Sequence, residues 1–107
     1  MRVLFDQGTP VPIRRFLIGH TVRTAAQEQW ATLKNGDLLT VAEEAGFDVF
    51  LTTDKNIRYQ QNLAGRNISV ILIRDQQWPA LQPFVDRVVA AVNAAKPGGY
   101  IEVDTSG

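Results

Sequence analysis

Two aspartates in the sequence each follow an apolar run, and they are the residues best placed to do chemistry. Asp6 follows the run Val3-Leu4-Phe5, and Asp54 follows the run over residues 48–53. If two carboxylates lie close together they repel, so one must take up a proton or a cation must lie between them. Mg²⁺ suits such an all-oxygen site because it binds one or two carboxylates, keeps several waters and accepts phosphate oxygens. The pair therefore predicts metal-assisted hydrolysis of a phosphodiester.

That chemistry calls for a third acid, and Asp37 is the candidate. It opens the second predicted helix, whose start should lie at the same edge of the sheet as Asp6 and Asp54. Glu43 and Glu44 come about two turns later in that helix and are expected to face solvent. The competing interpretation is structural, because aspartate is common in turns after strands and at helix starts, where its carboxylate accepts backbone N–H bonds.

Several polar residues near the two acids are candidate contacts for a substrate. They are Lys55, Asn56, Arg58, Tyr59 and Arg14. Cations and an aromatic ring next to an acidic site are typical of phosphate and base contacts. A solvated loop, or the outer face of a helix for Arg14, explains the same residues without a substrate. His20 is the only histidine, and a structural role is predicted for it.

The elements that must position these residues alternate between strand-like and helical segments, which favours a parallel sheet built from βαβ units. Strands are predicted at residues 2–5, 20–24, 48–53 and 68–73, with helices after Thr9, from Asp37 and from Pro79. The fold class is therefore α/β, a three-layer α/β/α domain with four or five mostly parallel strands in the order 2-1-3-4. Residues 97–107 form either an added edge strand or a tail.

Strand order decides where the two aspartates meet. If strand 1 lies between strands 2 and 3, the direction in which the chain winds reverses between strands 1 and 3. Open α/β sheets bind ligands at such a switch point, beyond the carboxyl ends of the strands. Asp6 ends strand 1 and Asp54 ends strand 3, so both should open into the same crevice.

Composition narrows the class of protein further. The chain has 107 residues, which favours one domain over residues 1–107. Its 11 basic and 11 acidic residues balance, so any polyanion partner must be held by a local patch rather than by net charge. The absence of cysteine, of a signal-peptide core and of a membrane-spanning run predicts a cytoplasmic protein with no membrane contact. Monomer and homodimer both stay open.

Three short motifs in order resemble a known family. DQGTP after the first strand, NGDLL at the second helix and FLTTDKN at the third strand together resemble the PIN-like DUF5615 proteins, relatives of the Mut7-C domains in the PIN nuclease superfamily. The resemblance spans residues 1–75. It implies a PIN-like fold, a magnesium or manganese site on Asp6, Asp37 and Asp54, single-stranded RNA as substrate, and a toxin role beside an antitoxin protein.

Two departures from that family keep a second function open. The family commonly has a second acid after Asp6 and another two residues after Asp54, where this chain has the amides Gln7 and Asn56. An amide oxygen still binds a hard cation but brings no negative charge. The alternative is therefore a non-catalytic PIN-like module that binds RNA or protein through the same edge. A phosphoacceptor domain resembling response-regulator receivers is the third hypothesis.

Overall fold

Five short strands form one all-parallel sheet in the order β2-β1-β3-β4-β5. The computed structural model describes residues 1–57, 63, 65–75 and 77–105. The strands are Arg2–Phe5 (β1), Thr21–Thr24 (β2), Val49–Thr52 (β3), Ser69–Ile73 (β4) and Tyr100–Val103 (β5). The predicted α/β class and the order 2-1-3-4 are thus confirmed, and the C-terminal segment adds a fifth strand at the edge beside β4.

Helical segments cover both faces of this sheet, as a three-layer arrangement requires. They are a 3₁₀ helix at Val11–Phe16, α1 at Asn35–Glu44, α2 at Trp78–Leu81, a 3₁₀ turn at Gln82–Phe84 and α3 at Val85–Asn93. Every residue of the two strands β3 and β4 is buried. Full burial explains why these strands are continuous apolar runs rather than alternating ones.

Successive residues of each strand point to opposite faces, which divides the core in two. Val3 and Phe5 of β1 pack on the side of the first 3₁₀ helix and α3, in a cluster with Ile13 and Val88. Leu4 packs on the other side, in the cluster that contains the buried residues of α1. The sheet is therefore held between two separate apolar layers, and its two ends stay available for loops.

Two predicted helices differ from their predicted form. The segment after Thr9 is a 3₁₀ helix rather than an α-helix; Ile13 in it and Leu17 directly after it are buried, whereas Phe16 at its end is 39% exposed. The long helix predicted from Pro79 is broken into α2, a 3₁₀ turn and α3. Pro83 lies in that turn, and proline interrupts an α-helix because it has no N–H and its ring clashes with the preceding turn.

The second predicted helix also needs two corrections. It begins at Asn35, with Lys34 as its N-cap, so Asp37 lies inside the first turn rather than at the opening position. Glu43 does not simply face solvent. Its carboxylate accepts bonds from the Arg66 guanidinium at 3.0 Å and from the Asn67 backbone N–H at 2.6 Å, which fastens the loop before β4 to α1.

A search for helices that could span a membrane finds none in the described part of the chain.

Candidate active site

The carboxyl ends of β1 and β3 lie side by side because the two strands pair in parallel, with Phe5 opposite Leu51. The Leu51 carbonyl accepts the backbone N–H of Asp6 at 2.9 Å, so the pairing continues one residue beyond β1. The same carbonyl accepts the buried hydroxyl of Thr9 at 2.9 Å. These two bonds fix the turn that carries Asp6 against the end of β3.

The Thr52 hydroxyl connects the two predicted acids. It donates to Asp6 Oδ2 at 2.8 Å and accepts the backbone N–H of Asp54 at 3.1 Å. Thr52 is fully buried, whereas both aspartates are partly exposed. The structure therefore brings Asp6 and Asp54 together at one solvent-accessible edge, with a buried hydroxyl between the Asp6 carboxylate and the Asp54 backbone.

Each aspartate also has a local structural role. Asp6 Oδ1 accepts the Gln7 backbone N–H at 2.8 Å, and Asp54 Oδ1 accepts the Asn56 backbone N–H at 3.0 Å. Such bonds are the usual function of aspartate in turns. Each of these bonds takes one of the about four acceptor positions of an ionised carboxylate.

The donor set fits a divalent cation held by two carboxylates. Carboxylate oxygens are hard ligands, and Mg²⁺ commonly takes one or two of them and fills its other positions with water and phosphate. Asp6 and Asp54 are the residues that would hold it. Within residues 1–57, 63, 65–75 and 77–105, no three acidic or histidine side chains are grouped closely enough to hold a metal ion. Asp37, which is exposed in the first turn of α1, therefore joins no such group.

The other predicted contacts have different settings. Lys55 and Asn56 are exposed directly after Asp54, and Arg14 is exposed on the first 3₁₀ helix. Arg58 and Tyr59 lie outside the described residues. His20 bonds the N-terminal amine at 3.2 Å through Nδ1 and the Asn93 side chain at 2.7 Å through Nε2, which agrees with its predicted structural role.

Two features of this edge are missing from the sequence prediction. Thr52 is predicted only as part of its strand, although a polar residue at the end of a buried apolar run is itself a signal. Arg74, directly after β4, lines a cavity of about 240 Å³ together with Lys55, Asp75, Asp104 and Thr105. This cavity places two cations, Lys55 and Arg74, on the β4 side of Asp54.

The turn after β1 also has little room to move. A Cβ atom added to Gly8 would lie 2.7 Å from the Thr53 hydroxyl oxygen, closer than such atoms approach in proteins. Gly8 therefore allows the turn that follows Asp6 to contact the end of β3. The Asp6 turn and the segment leading to Asp54 are therefore packed directly against each other at Gly8 and Thr53.

Replacing Thr52 tests how much its hydrogen bonds to Asp6 and Asp54 contribute to stability. Thr52→Val removes the hydroxyl at nearly constant volume and leaves the Asp54 N–H without its acceptor, so we expect the free energy of unfolding to fall by about 1–3 kcal/mol. Thr52→Ser, which keeps the hydroxyl, serves as the control and should recover most of the hydrogen-bond energy. Urea denaturation of both variants measures the difference. A loss in Thr52→Ser as large as that in Thr52→Val would contradict the leading role of the hydroxyl, because serine keeps the hydroxyl and lacks only the methyl group.

Comparison with models of known protein families, with curated proteins and with solved structures gives no significant match.

Proposed function

We propose that this edge is the active site of a metal-dependent ribonuclease that hydrolyses single-stranded RNA. The observation that supports it most is the Thr52 hydroxyl, which bonds the Asp6 carboxylate and the Asp54 backbone at the junction of β1 and β3. This junction is where the winding of the sheet reverses, the usual position of a ligand site in open α/β sheets. The resemblance to PIN-like DUF5615 proteins supports the same function.

In this proposal each residue has a role that follows from its position. Asp6 and Asp54 would hold a magnesium or manganese ion, which when bound would lower the pKa of a water molecule and neutralise charge on the phosphate. Thr52 orients the Asp6 carboxylate by donating to Oδ2. Lys55 and Arg74, on the β4 side of Asp54, attract the phosphates of the strand. Asp37 stays a predicted third acid, and Asp37→Asn shows directly whether cleavage depends on it.

The direct test is cleavage of a labelled single-stranded RNA. The purified chain is expected to cut it with Mg²⁺ or Mn²⁺ and to stop when the ions are chelated with EDTA. Asp54→Asn should cleave far more slowly, because it loses the negative charge while its side-chain oxygen can still accept the Asn56 N–H. Isothermal calorimetry with Mn²⁺ alone measures the loss of metal binding separately. Cleavage at full rate in EDTA, or by Asp54→Asn, would contradict the proposal.

A second candidate function, an RNA- or protein-binding module without catalysis, has its own support. Among the described residues, no third acid joins Asp6 and Asp54 in a group that could hold a metal ion, and the amides Gln7 and Asn56 stand beside the two aspartates in the sequence. A less anionic site binds a cation more weakly and repels phosphate less. RNA binding that persists in EDTA, with no cleavage under any condition, would favour this module over the ribonuclease.

The family resemblance also supports a toxin role with an antitoxin partner, and the composition of the chain supports a cytoplasmic location. Expression of the chain in a host cell should then slow growth, and Asp6→Asn should relieve that effect. A small neighbouring reading frame whose product restores growth would identify the partner. If wild type and Asp6→Asn slow growth equally, the effect is unrelated to cleavage and the toxin role fails.

A further inference from the structure

A second cavity lies on the other side of Asp6, between the ends of β1 and β2. Its volume is about 310 Å³. Its lining consists of Asp6, Gln7, Thr9, Val11, Thr24 and Ala26. Asp6 therefore belongs to both the proposed active site and this cavity, so a molecule bound at the aspartates would border the cavity.

The walls of this cavity combine apolar and polar groups. Val11 is 54% exposed and Ala26 is also exposed, and both would lose water contact if a flat apolar group lay against them. Thr24 Oγ1 accepts the Gln27 backbone N–H at 3.1 Å, which leaves the hydroxyl proton available to donate. The exposed Gln7 carboxamide makes no hydrogen bond with any described residue. It offers two N–H donors and a carbonyl acceptor.

We propose that this cavity binds one unpaired nucleobase of the RNA, with the Gln7 carboxamide bonding to the edge of the base. The inference rests on the proposed function, because it takes the phosphate next to that base to lie at Asp6 and Asp54. A base presents a flat apolar face and, on its edge, a donor beside an acceptor, which a carboxamide matches with two bonds. The volume lies at the lower end of the range of small-molecule sites, about 300–1,000 Å³, which suits a single nucleoside.

This assignment gives a physical reason for an amide at position 7. A carboxylate there would only accept hydrogen bonds and would repel the neighbouring phosphates. A carboxamide both donates and accepts and carries no charge. Gln7 therefore weakens a cation site but improves a base site, and its backbone N–H still holds the Asp6 carboxylate.

Gln7→Leu tests the inference, because leucine keeps an apolar stem and removes the hydrogen-bonding group. Binding is measured by fluorescence anisotropy with a labelled single-stranded RNA hexamer, with Ca²⁺ in place of Mg²⁺ so that the RNA stays intact. We expect Gln7→Leu to bind roughly tenfold more weakly than wild type, the loss of a two-bond base contact. Gln82→Leu changes an exposed glutamine that does not line the cavity and should leave binding unchanged.

A series of hexamers, each with one abasic ribose, identifies the base concerned. At one position the abasic RNA should bind wild type roughly tenfold more weakly, and Gln7→Leu should bind that RNA as well as wild type does. If Gln7→Leu weakened the binding of every abasic RNA equally, or weakened none, the base-site inference would be overturned. Cleavage by the wild type would in that case still support the ribonuclease proposal. Gln7-dependent binding without cleavage would support the base site and overturn the ribonuclease. Absence of any RNA binding would overturn both.

Discussion

Asp6→Asn should lower the rate of Mn²⁺-dependent RNA cleavage by about 100-fold or more, because even outer partners of a metal site are worth 10–100-fold. The change removes one of the two charges that would hold the cation and alters almost no volume. An asparagine oxygen can still accept the Gln7 N–H that now bonds Oδ1. The Thr52 hydroxyl can turn to accept from the new amide, since it has two lone pairs. We therefore expect the thermal midpoint to stay within a few degrees of wild type.

Asp48→Asn is the matched control for that experiment. Asp48 lies one residue before β3, at the opposite end of the strand, and its Oδ2 accepts the Arg2 backbone N–H at 2.9 Å. Like Asp6, Asp48 has a carboxylate that accepts a hydrogen bond from one backbone N–H. Unlike Asp6, it lies at the end of β3 that is remote from the proposed site. Single-turnover cleavage and thermal unfolding are measured for both variants. If both cleave as fast as wild type, Asp6 has only the turn role that its bond to Gln7 already shows.

The parallel arrangement of the sheet could be predicted because strands buried on both faces leave a simple signature. Residues 68–73, for example, form an apolar run without alternation, which is typical of a strand covered on both faces. Helical stretches between such runs demand parallel crossovers. Once β1 is central, Asp6 and Asp54 must reach the same edge. The meeting of the two acids is therefore a consequence of topology and needs no knowledge of side-chain contacts.

What could not be predicted depends on contacts between residues distant in sequence. Thr52 lies in a strand as predicted, yet its bond to Asp6 joins residues 46 positions apart. Glu43 has the sequence setting of a solvated helix face, and only the folded loop brings Arg66 and Asn67 to it. Pro83 is different, because its effect is local. The apolar spacing of the segment from Pro79 favours one helix, and the backbone rule for proline overrides it.

Phe50→Ala should have the largest effect on stability, about 3–5 kcal/mol, because it empties the centre of a packed layer. Phe50 is fully buried and lies between Leu4 of β1 and Val70 of β4 in the sheet register. Its face of the sheet packs against α1 and against Ile57, which is 1% exposed. Since small domains are stable by only about 5–15 kcal/mol, the variant would lose a large share of its free energy of unfolding.

Phe16→Ala is the control, with the same atoms removed from a ring that is 39% exposed and contacts Trp78 at a centroid distance of 5.9 Å. It should cost about 1 kcal/mol, since edge contacts between rings contribute about 0.5–1.5 kcal/mol. Urea denaturation of both variants gives the comparison. Similar losses would mean that the Phe50 layer relaxes into the space. A large loss of stability in Phe50→Ala alone would also concern the proposed site. Ile57 packs in the same layer as Phe50 and follows Asp54 by three residues, so it connects the packing of that layer to the position of Asp54.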